Sequence, residues 1–213
     1  MKDIESISGY YFGDSKLDKI HSLLLPVVVE ILEELNLSAD KKFTFDLGCG
    51  NGSVANFFSN KGWIVTGVDP SIDGIKQANL SFPTLNLQRG SAYENLSEKY
   101  GKFPTLISIE VIEHLYDPRL YLKTIFDLLE PGGTAIISTP YHGYWKNLVM
   151  ALFGKMDNHF HALWDHGHIK FWSKKTLKKI LIESGFVSIK FRTVGRVSII
   201  AKSMIAIAQK PQS

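Results

Sequence analysis

The stretch Asp46-Leu47-Gly48-Cys49-Gly50-Asn51-Gly52 constrains this chain more than any other. It is entered through apolar Phe43-Thr44-Phe45 and left through Val54-Ala55-Asn56-Phe57-Phe58, which reads as strand, glycine turn and helix. Glycines suit such a turn because a β-carbon would block close approach of a ligand to the backbone and would penalise positive φ angles. The helix that follows points free amide N–H groups and the positive end of its dipole at the turn, which favours a ligand bearing a carboxylate or phosphate. A nucleotide-like cofactor is the expected tenant.

The next strand supports this. Trp63-Ile64-Val65-Thr66-Gly67-Val68 runs into Asp69-Pro70-Ser71. Asp69 falls about 20 residues after the glycines, at a strand end where α/β nucleotide sites commonly hold a carboxylate for ribose hydroxyls. In isolation Asp69 reads equally as an N-cap or turn residue ahead of a helix from Ser71; paired with the glycine turn, the ribose role is favoured. The order Gly48-x-Gly50-x-Gly52 is not the G-x-G-x-x-G of dinucleotide sites, which argues against NAD.

With Ile109-Glu110-Val111-Ile112-Glu113-His114-Leu115 and Leu129-Glu130-Pro131-Gly132-Gly133, these segments resemble the ordered motifs of class I S-adenosylmethionine (SAM) dependent methyltransferases. Glu110 to His114 followed by Asp117-Pro118 is especially similar to the ubiquinone-biosynthesis O-methyltransferase branch, and the resemblance covers roughly residues 43 to 190. It implies SAM as cofactor and S-adenosyl-L-homocysteine (SAH) as product. The contacts it implies are Asp46, Gly48, Cys49, Gly50, Gly52, Asp69, Pro70, Ser91, Ala92, Tyr93 and Glu110. The family often carries an acidic residue for the adenine amino group where this chain has Ser91; its hydroxyl can still bond an adenine edge. Tyr93 either stacks on the ring or is a packed loop aromatic, and Ala92 would offer only its backbone N–H.

Alternation of apolar β-branched runs with amphipathic segments predicts an α/β fold, a doubly wound, mostly parallel seven-stranded sheet covered on both faces. Strands are expected near 43–47, 63–68, 85–88, 104–109, 134–139, 186–193 and 198–208. Helices are expected near 15–36, 52–60, 71–79, 117–129, 144–153 and 173–184, the last opened by Ser173 and stopped by Gly185. The final two strands form a hairpin around Gly195, which the resemblance makes the antiparallel end of the sheet.

A chain of 213 residues buries a large core without disulfides, and one domain over 1–213 is the economical reading. It would have a helical cap over about 1–40 and a lid or substrate insertion over about 141–172. Cys49 is the lone cysteine, so a reducing cytoplasm is the default and the thiol reads as a small residue packed in the turn. The net charge of +3 is that of an ordinary soluble protein and does not call for DNA. The start, Met1 to Gly9, lacks the apolar stretch of a signal peptide, and Leu23 to Val29 is too short to span a bilayer.

If the chain turns helical after Ile109, then Glu110, Glu113 and His114 at i, i+3 and i+4 share one face at the mouth of the sheet. Such a trio can bind a divalent cation, hold His114 as a general base, or cap the helix. The resembling branch, and small-RNA 2′-O-methyltransferases with a similar Glu-x-x-Glu-His trio, associate it with a metal and an oxygen acceptor. That implies O-methylation, with Glu110 and Glu113 as ligands and His114 as ligand or base.

Between Pro140 and Ser173 lies a segment rich in aromatics that also holds five of the seven histidines, His142, His159, His161, His166 and His168. Its length suits a lid or acceptor pocket. His168 is the preferred fourth member of the catalytic group, since Gly167-His168-Ile169 directly precedes the well-marked helix. Helix 144–153, with Trp145, Leu148, Val149, Leu152 and Phe153, reads as core-facing, as a wall for a hydrophobic acceptor, or as a dimer contact, with peripheral membrane contact if the acceptor is lipid-like. The leading function is methyl transfer to a small-molecule acceptor by a monomer or homodimer. The alternatives are an RNA-modifying enzyme, for which Lys174, Lys175, Lys178 and Lys179 offer only a small basic patch, or a non-catalytic binding module.

Overall fold

The computed structural model describes residues 12–160, 163–164 and 167–212; residues 1–11 of the expected cap and His161 and His166 of the expected lid lie outside them. Seven strands, β1 (Phe43–Leu47), β2 (Ile64–Asp69), β3 (Asn86–Arg89), β4 (Phe103–Ser108), β5 (Leu129–Pro140), β6 (Val187–Val194) and β7 (Ser203–Gln209), form one sheet in the order β3-β2-β1-β4-β5-β7-β6. The pairs β1/β2, β2/β3, β1/β4 and β4/β5 are parallel, and β7 runs antiparallel to both β5 and β6. This is the expected doubly wound sheet with its antiparallel end. β4 is buried along its whole length, as a central strand covered on both faces must be.

The helices are α1 (Lys19–Glu34), α2 (Ser53–Ser59), α3 (Ile72–Ser81), α4 (Leu96–Tyr100), α5 (Pro118–Leu128), α6 (Tyr144–Leu152), α7 (Asp157–Phe160) and α8 (Lys174–Glu183). One core packs Leu24, Val28, Phe58, Ile75 and Ala78 of α1, α2 and α3 against the sheet. The other packs Leu96, Tyr121, Ile125, Leu177 and Leu181 of α4, α5 and α8 against the opposite face. Among the described residues no helix is long and apolar enough to cross a membrane.

Four local differences from the sequence reading have physical causes. α1 starts at Lys19, not near 15, because Asp18 caps it, its Oδ1 accepting from the Ile20 and His21 amides at 2.9 and 2.8 Å. β5 begins at Leu129, and Glu130 to Gly133 bulge out of it, with Gly132 at φ +77°. β7 begins at Ser203 rather than 198 because its partner strand β5 ends at Pro140, opposite Ser203; the preceding residues form a 3₁₀ turn at Ser198–Ile200. The chain after β4 does not turn helical at Ile109. Glu110 takes the left-handed φ of 56°, which breaks helical continuity, and only a 3₁₀ turn forms at Ile112–His114.

Because β1 pairs with β2 on one side and β4 on the other, the chain leaves the sheet in opposite directions there. That opens a crevice at the carboxyl ends of β1, β2 and β4. The segments after all three strands meet at this crevice.

Candidate functional site

A cavity of about 380 Å³ occupies this crevice. Its lining includes Asp46, Gly48, Cys49, Gly50, Asp69, Pro70, Ser91, Ala92, Tyr93, Glu110, His114 and His168. Of the residues singled out from sequence, Gly52 and Glu113 stand behind that lining.

The glycine turn is tied to β2, since the Gly48 and Cys49 amides both donate to the Val68 carbonyl, at 2.9 and 3.1 Å. Gly48, Gly50 and Gly52 have φ of +90°, +51° and +78°, the left-handed region that penalises any side chain. At Gly52 there is also no room: a β-carbon would stand 2.8 Å from Leu87 and 2.9 Å from Ala78. Gly52 thus lets the start of α2 pack closely against α3 and β3, and it does not line the cavity. Cys49 is buried, and burial pushes its thiol well above the usual range, so it is an unreactive packing residue.

Asp69 is a turn residue that also faces the cavity. Its Oδ2 accepts from the Gly50 amide at 2.9 Å and its Oδ1 from the Ser71 amide at 2.8 Å, so it braces the turn while still lining the cavity. Ser71, not Asp69, caps α3, through the Gly74 amide at 3.0 Å. Burial raises the Asp69 carboxyl to about 6, against the pull of those two amides. Asp46 is more deeply sunk. Burial, with the Asp69 charge added, takes it to about 8, and among the described residues its Oδ2 meets no hydrogen-bond partner. A buried carboxyl with an orphaned oxygen beside a cavity suits a cationic group.

On the cavity wall after β3, Ser91 Oγ accepts from the Tyr93 amide at 3.2 Å, and the Tyr93 hydroxyl accepts from the Asp117 amide at 3.1 Å. Tyr93 therefore bridges the loop after β3 to the start of α5. Sequence reasoning missed the opposite rim. Phe12 lies over Gly50 and Gly74, where a β-carbon would come within 2.7 and 2.9 Å of its ring, and the Gln77 side chain donates to its carbonyl. Asn51 Nδ2 donates to the Asp14 carbonyl at 2.7 Å, and Asp18 and His21 complete that rim. Only the capping residue Asp18 carried a signal that pattern reading could have used.

The trio Glu110, Glu113 and His114 is split. Ser138 takes Glu110: its Oγ accepts from the Glu110 amide at 2.9 Å and donates to the Glu110 carboxyl oxygen at 2.8 Å. Glu113, His114 and His168 instead come together, with one potential ligand atom of each within 4.8 Å of the others. The cause is a pair of backbone bonds, from the Ile169 and Lys170 amides to the Glu113 carbonyl at 2.9 and 3.0 Å, which lay the chain before α8 across the 3₁₀ turn. The His168 and His114 rings then lie 4.8 Å apart and the Trp164 ring 5.3 Å from His168. Glu113 is fully buried, and among the described residues neither of its carboxyl oxygens has a hydrogen-bond partner. Burial pushes it well above the ordinary carboxylate range and Glu110 adds to the shift. An orphaned buried carboxylate flanked by two imidazoles is a donor set that fits a divalent cation.

Further out, His142 stacks among His159, Phe160 and Phe171, with ring distances of 5.0 to 5.6 Å. Burial, followed by the Lys146 and His159 charges, holds His142 near 4. α6 is not core-facing: of its residues only Lys146 is buried. The Lys146 ammonium donates to the carbonyls of Tyr141 and Lys202, at 2.8 and 3.2 Å.

A family model described as a methyltransferase domain matches residues 24–190. A ubiquinone biosynthesis O-methyltransferase of Psychrobacter arcticus is 30% identical over 162 residues, which cover 72% of this chain and 61% of that relative. The chain thus spans less than two thirds of that relative's length. The solved methyltransferase domain of bacterial CtHen1-CN superposes with a TM-score of 0.67 at 23% identity, covering 90% of this chain and all of that one. The magnesium protoporphyrin IX methyltransferase of Synechocystis PCC 6803, solved with bound SAH, gives 0.67 at 19% identity, covering 93% of this chain and 90% of that one. At those identities the two solved structures speak for the fold alone.

Proposed function

The chain belongs to the SAM-dependent methyltransferase-domain family, and from that premise we propose that it transfers the methyl group of SAM to a hydroxyl oxygen of a small-molecule acceptor. The observation that carries the oxygen assignment is the convergence of Glu113, His114 and His168 at the wall of the cavity that also contains the glycine turn. The O-methyltransferase named among the relatives supports the same class.

Bound SAM supplies an electrophilic methyl group on a sulfonium. Gly48 and Gly50 let it approach the backbone, Asp46 and Asp69 offer negative charge to its cationic end and its ribose, and Ser91, Ala92 and Tyr93 border the adenine. Glu113, His114 and His168 would hold a divalent cation, whose chemistry is to lower the pKa of an acceptor hydroxyl. Where no cation engages it, His114, which lines the cavity, is placed to take the hydroxyl proton instead. Ser138 holds the Glu110 carboxyl at the strand end, so Glu110 serves as a fixed wall of the donor site and not as a ligand. The lone, buried Cys49 fits a cytoplasmic setting.

The test has two stages. Titration of SAH by calorimetry reports the donor site. Methyl transfer to a catechol such as 3,4-dihydroxybenzoate, with Mg²⁺ or Mn²⁺ and then with chelator, reports the oxygen and metal assignments. Donor binding without any metal-sensitive transfer to oxygen would sink the O-methylation reading and leave the family unaffected.

A further inference from the structure

β5 sorts Glu110 and Glu113 to opposite faces of the sheet. Successive residues of a strand point to opposite sides. Ile136 packs with α1, α2 and α3, while Ala135 and Ile137 pack with α4, α5 and α8. Ser138 therefore faces the α1 side, across from Ile205, and Thr139 faces the α5 side, across from Met204. Ser138 takes the Glu110 carboxyl. Thr139 is the next hydroxyl along the strand, and the 3₁₀ turn that carries Glu113 packs on β5.

The surroundings of Glu113 hold more polar atoms than an apolar core has use for. Glu113, Tyr121 and Thr139 are all fully buried. Among the described residues both Glu113 oxygens and the Tyr121 and Thr139 hydroxyls lack a hydrogen bond of ordinary geometry. They act on one another nonetheless. Burial raises the Glu113 carboxyl, Glu110 adds to the rise, and the Thr139 hydroxyl opposes it. Burial raises the Tyr121 hydroxyl too; Ser108 opposes that rise and the Glu113 charge adds to it. Ser108 Oγ already donates to the Leu47 carbonyl at 2.7 Å, so its proton is committed, whereas those of Tyr121 and Thr139 are not.

A buried hydroxyl that makes no bond is costly, and phenylalanine or valine at these positions would avoid the cost with the same shape. A carboxylate that serves as a cation ligand reverses the balance, because its outer partners orient it and tune the affinity of the site. We propose that Thr139 and Tyr121 are positioning residues for Glu113, their hydroxyls donating to its carboxylate from the α5 side and holding it beside His114 and His168. This rests on the cation reading of Glu113, His114 and His168. It makes Ser138 and Thr139, neighbours on β5, the supports of two separate carboxylates, one in the cavity wall and one at the cation.

Titration of Mn²⁺ into the SAH-bound protein, followed by calorimetry and by the electron paramagnetic resonance of unbound Mn²⁺, tests it. Thr139→Val and Tyr121→Phe should each weaken Mn²⁺ binding about tenfold, with SAH affinity and metal-free melting temperature held. Thr139→Ser keeps the hydroxyl and should bind Mn²⁺ close to the wild-type affinity. Wild-type Mn²⁺ affinity in Thr139→Val, or a Thr139→Ser protein as weak as Thr139→Val, overturns the proposal. So does a loss of Mn²⁺ binding that comes with a lower metal-free melting temperature and weaker SAH binding, because the role is then structural. Should Thr139→Val not fold, Tyr121→Phe with wild-type Mn²⁺ affinity overturns it. A wild-type protein that binds SAH but no Mn²⁺ refutes the cation reading itself, and this inference falls with it.

Discussion

The two halves of the cavity are built by different means. The half proposed for the donor is made of main chain: three left-handed glycines, two amides held by one Val68 carbonyl, and a carboxylate bonded to two further amides. The half proposed for the acceptor is made of side chains, Glu113, His114, Trp164 and His168, brought together from segments about 50 residues apart in sequence. A site of the first kind depends on local conformation and tolerates little change. A site of the second kind can exchange its side chains without disturbing the sheet, which is how one fold serves many acceptors.

Substitution in the donor half should therefore unfold the protein, and substitution in the acceptor half should spare the fold. Gly52→Val meets both a forbidden φ and the Leu87 and Ala78 side chains. It should destabilise by about 3 kcal/mol or more and abolish SAH binding, as thermal unfolding and calorimetry will read. Glu113→Gln is the counterpart: turnover should drop about 100-fold and Mn²⁺ binding should be lost, with SAH affinity and melting temperature nearly unchanged, because burial already keeps the metal-free carboxyl protonated and glutamine keeps its shape. A large loss of SAH affinity in that variant would erase the division between the halves.

Asp69→Ala lies between these extremes. It removes the acceptor of the Gly50 and Ser71 amides and the carboxylate proposed for the ribose together, so SAH should bind about tenfold more weakly and stability should fall by about 1–3 kcal/mol. Unchanged SAH affinity would leave Asp69 a structural brace only.

The smallest effect concerns the segment after β5. His142 is held neutral in the fold to about pH 4 and titrates near 6.5 when unfolded. Its contribution to stability is therefore complete above pH 6.5 and is lost as pH falls toward 4, because the unfolded chain takes up the proton first. Melting curves between pH 7 and 4.5 should show a shallower decline for His142→Gln than for wild type, with SAH binding unaffected at pH 7.

α6 and α8 show where pattern reading stops. Both are amphipathic. α8 buries Leu177, Ile180 and Leu181 and turns its lysines outward, in line with its pattern. α6 has an equally clear apolar face, whose pattern suits a core, an acceptor wall or a dimer contact alike, and it points that face at solvent while two carbonyls hold Lys146 inside. Periodicity states that a helix has two faces, and only the partner determines which is buried. The same limit applies to Glu110, Glu113 and His114. Their spacing matched a helix face, but the left-handed Glu110 rotated one carboxylate toward Ser138 and left the other to meet His168.

The amino-acid order by itself determined the alternation of strands and helices, the glycine turn with its facing carboxylate, and through them the parallel sheet and the crevice that the turn lines. All of these rest on backbone preference and on contacts within a few dozen residues. Tertiary structure alone decided that Phe12 and Asp18 close the rim, that Glu110 leaves the group which His168 joins, and that α6 presents its apolar face outward. Each of these depends on which distant segment satisfies a buried amide, carboxylate or ammonium, and hydrogen-bond partners far apart in the chain leave no periodic trace in it.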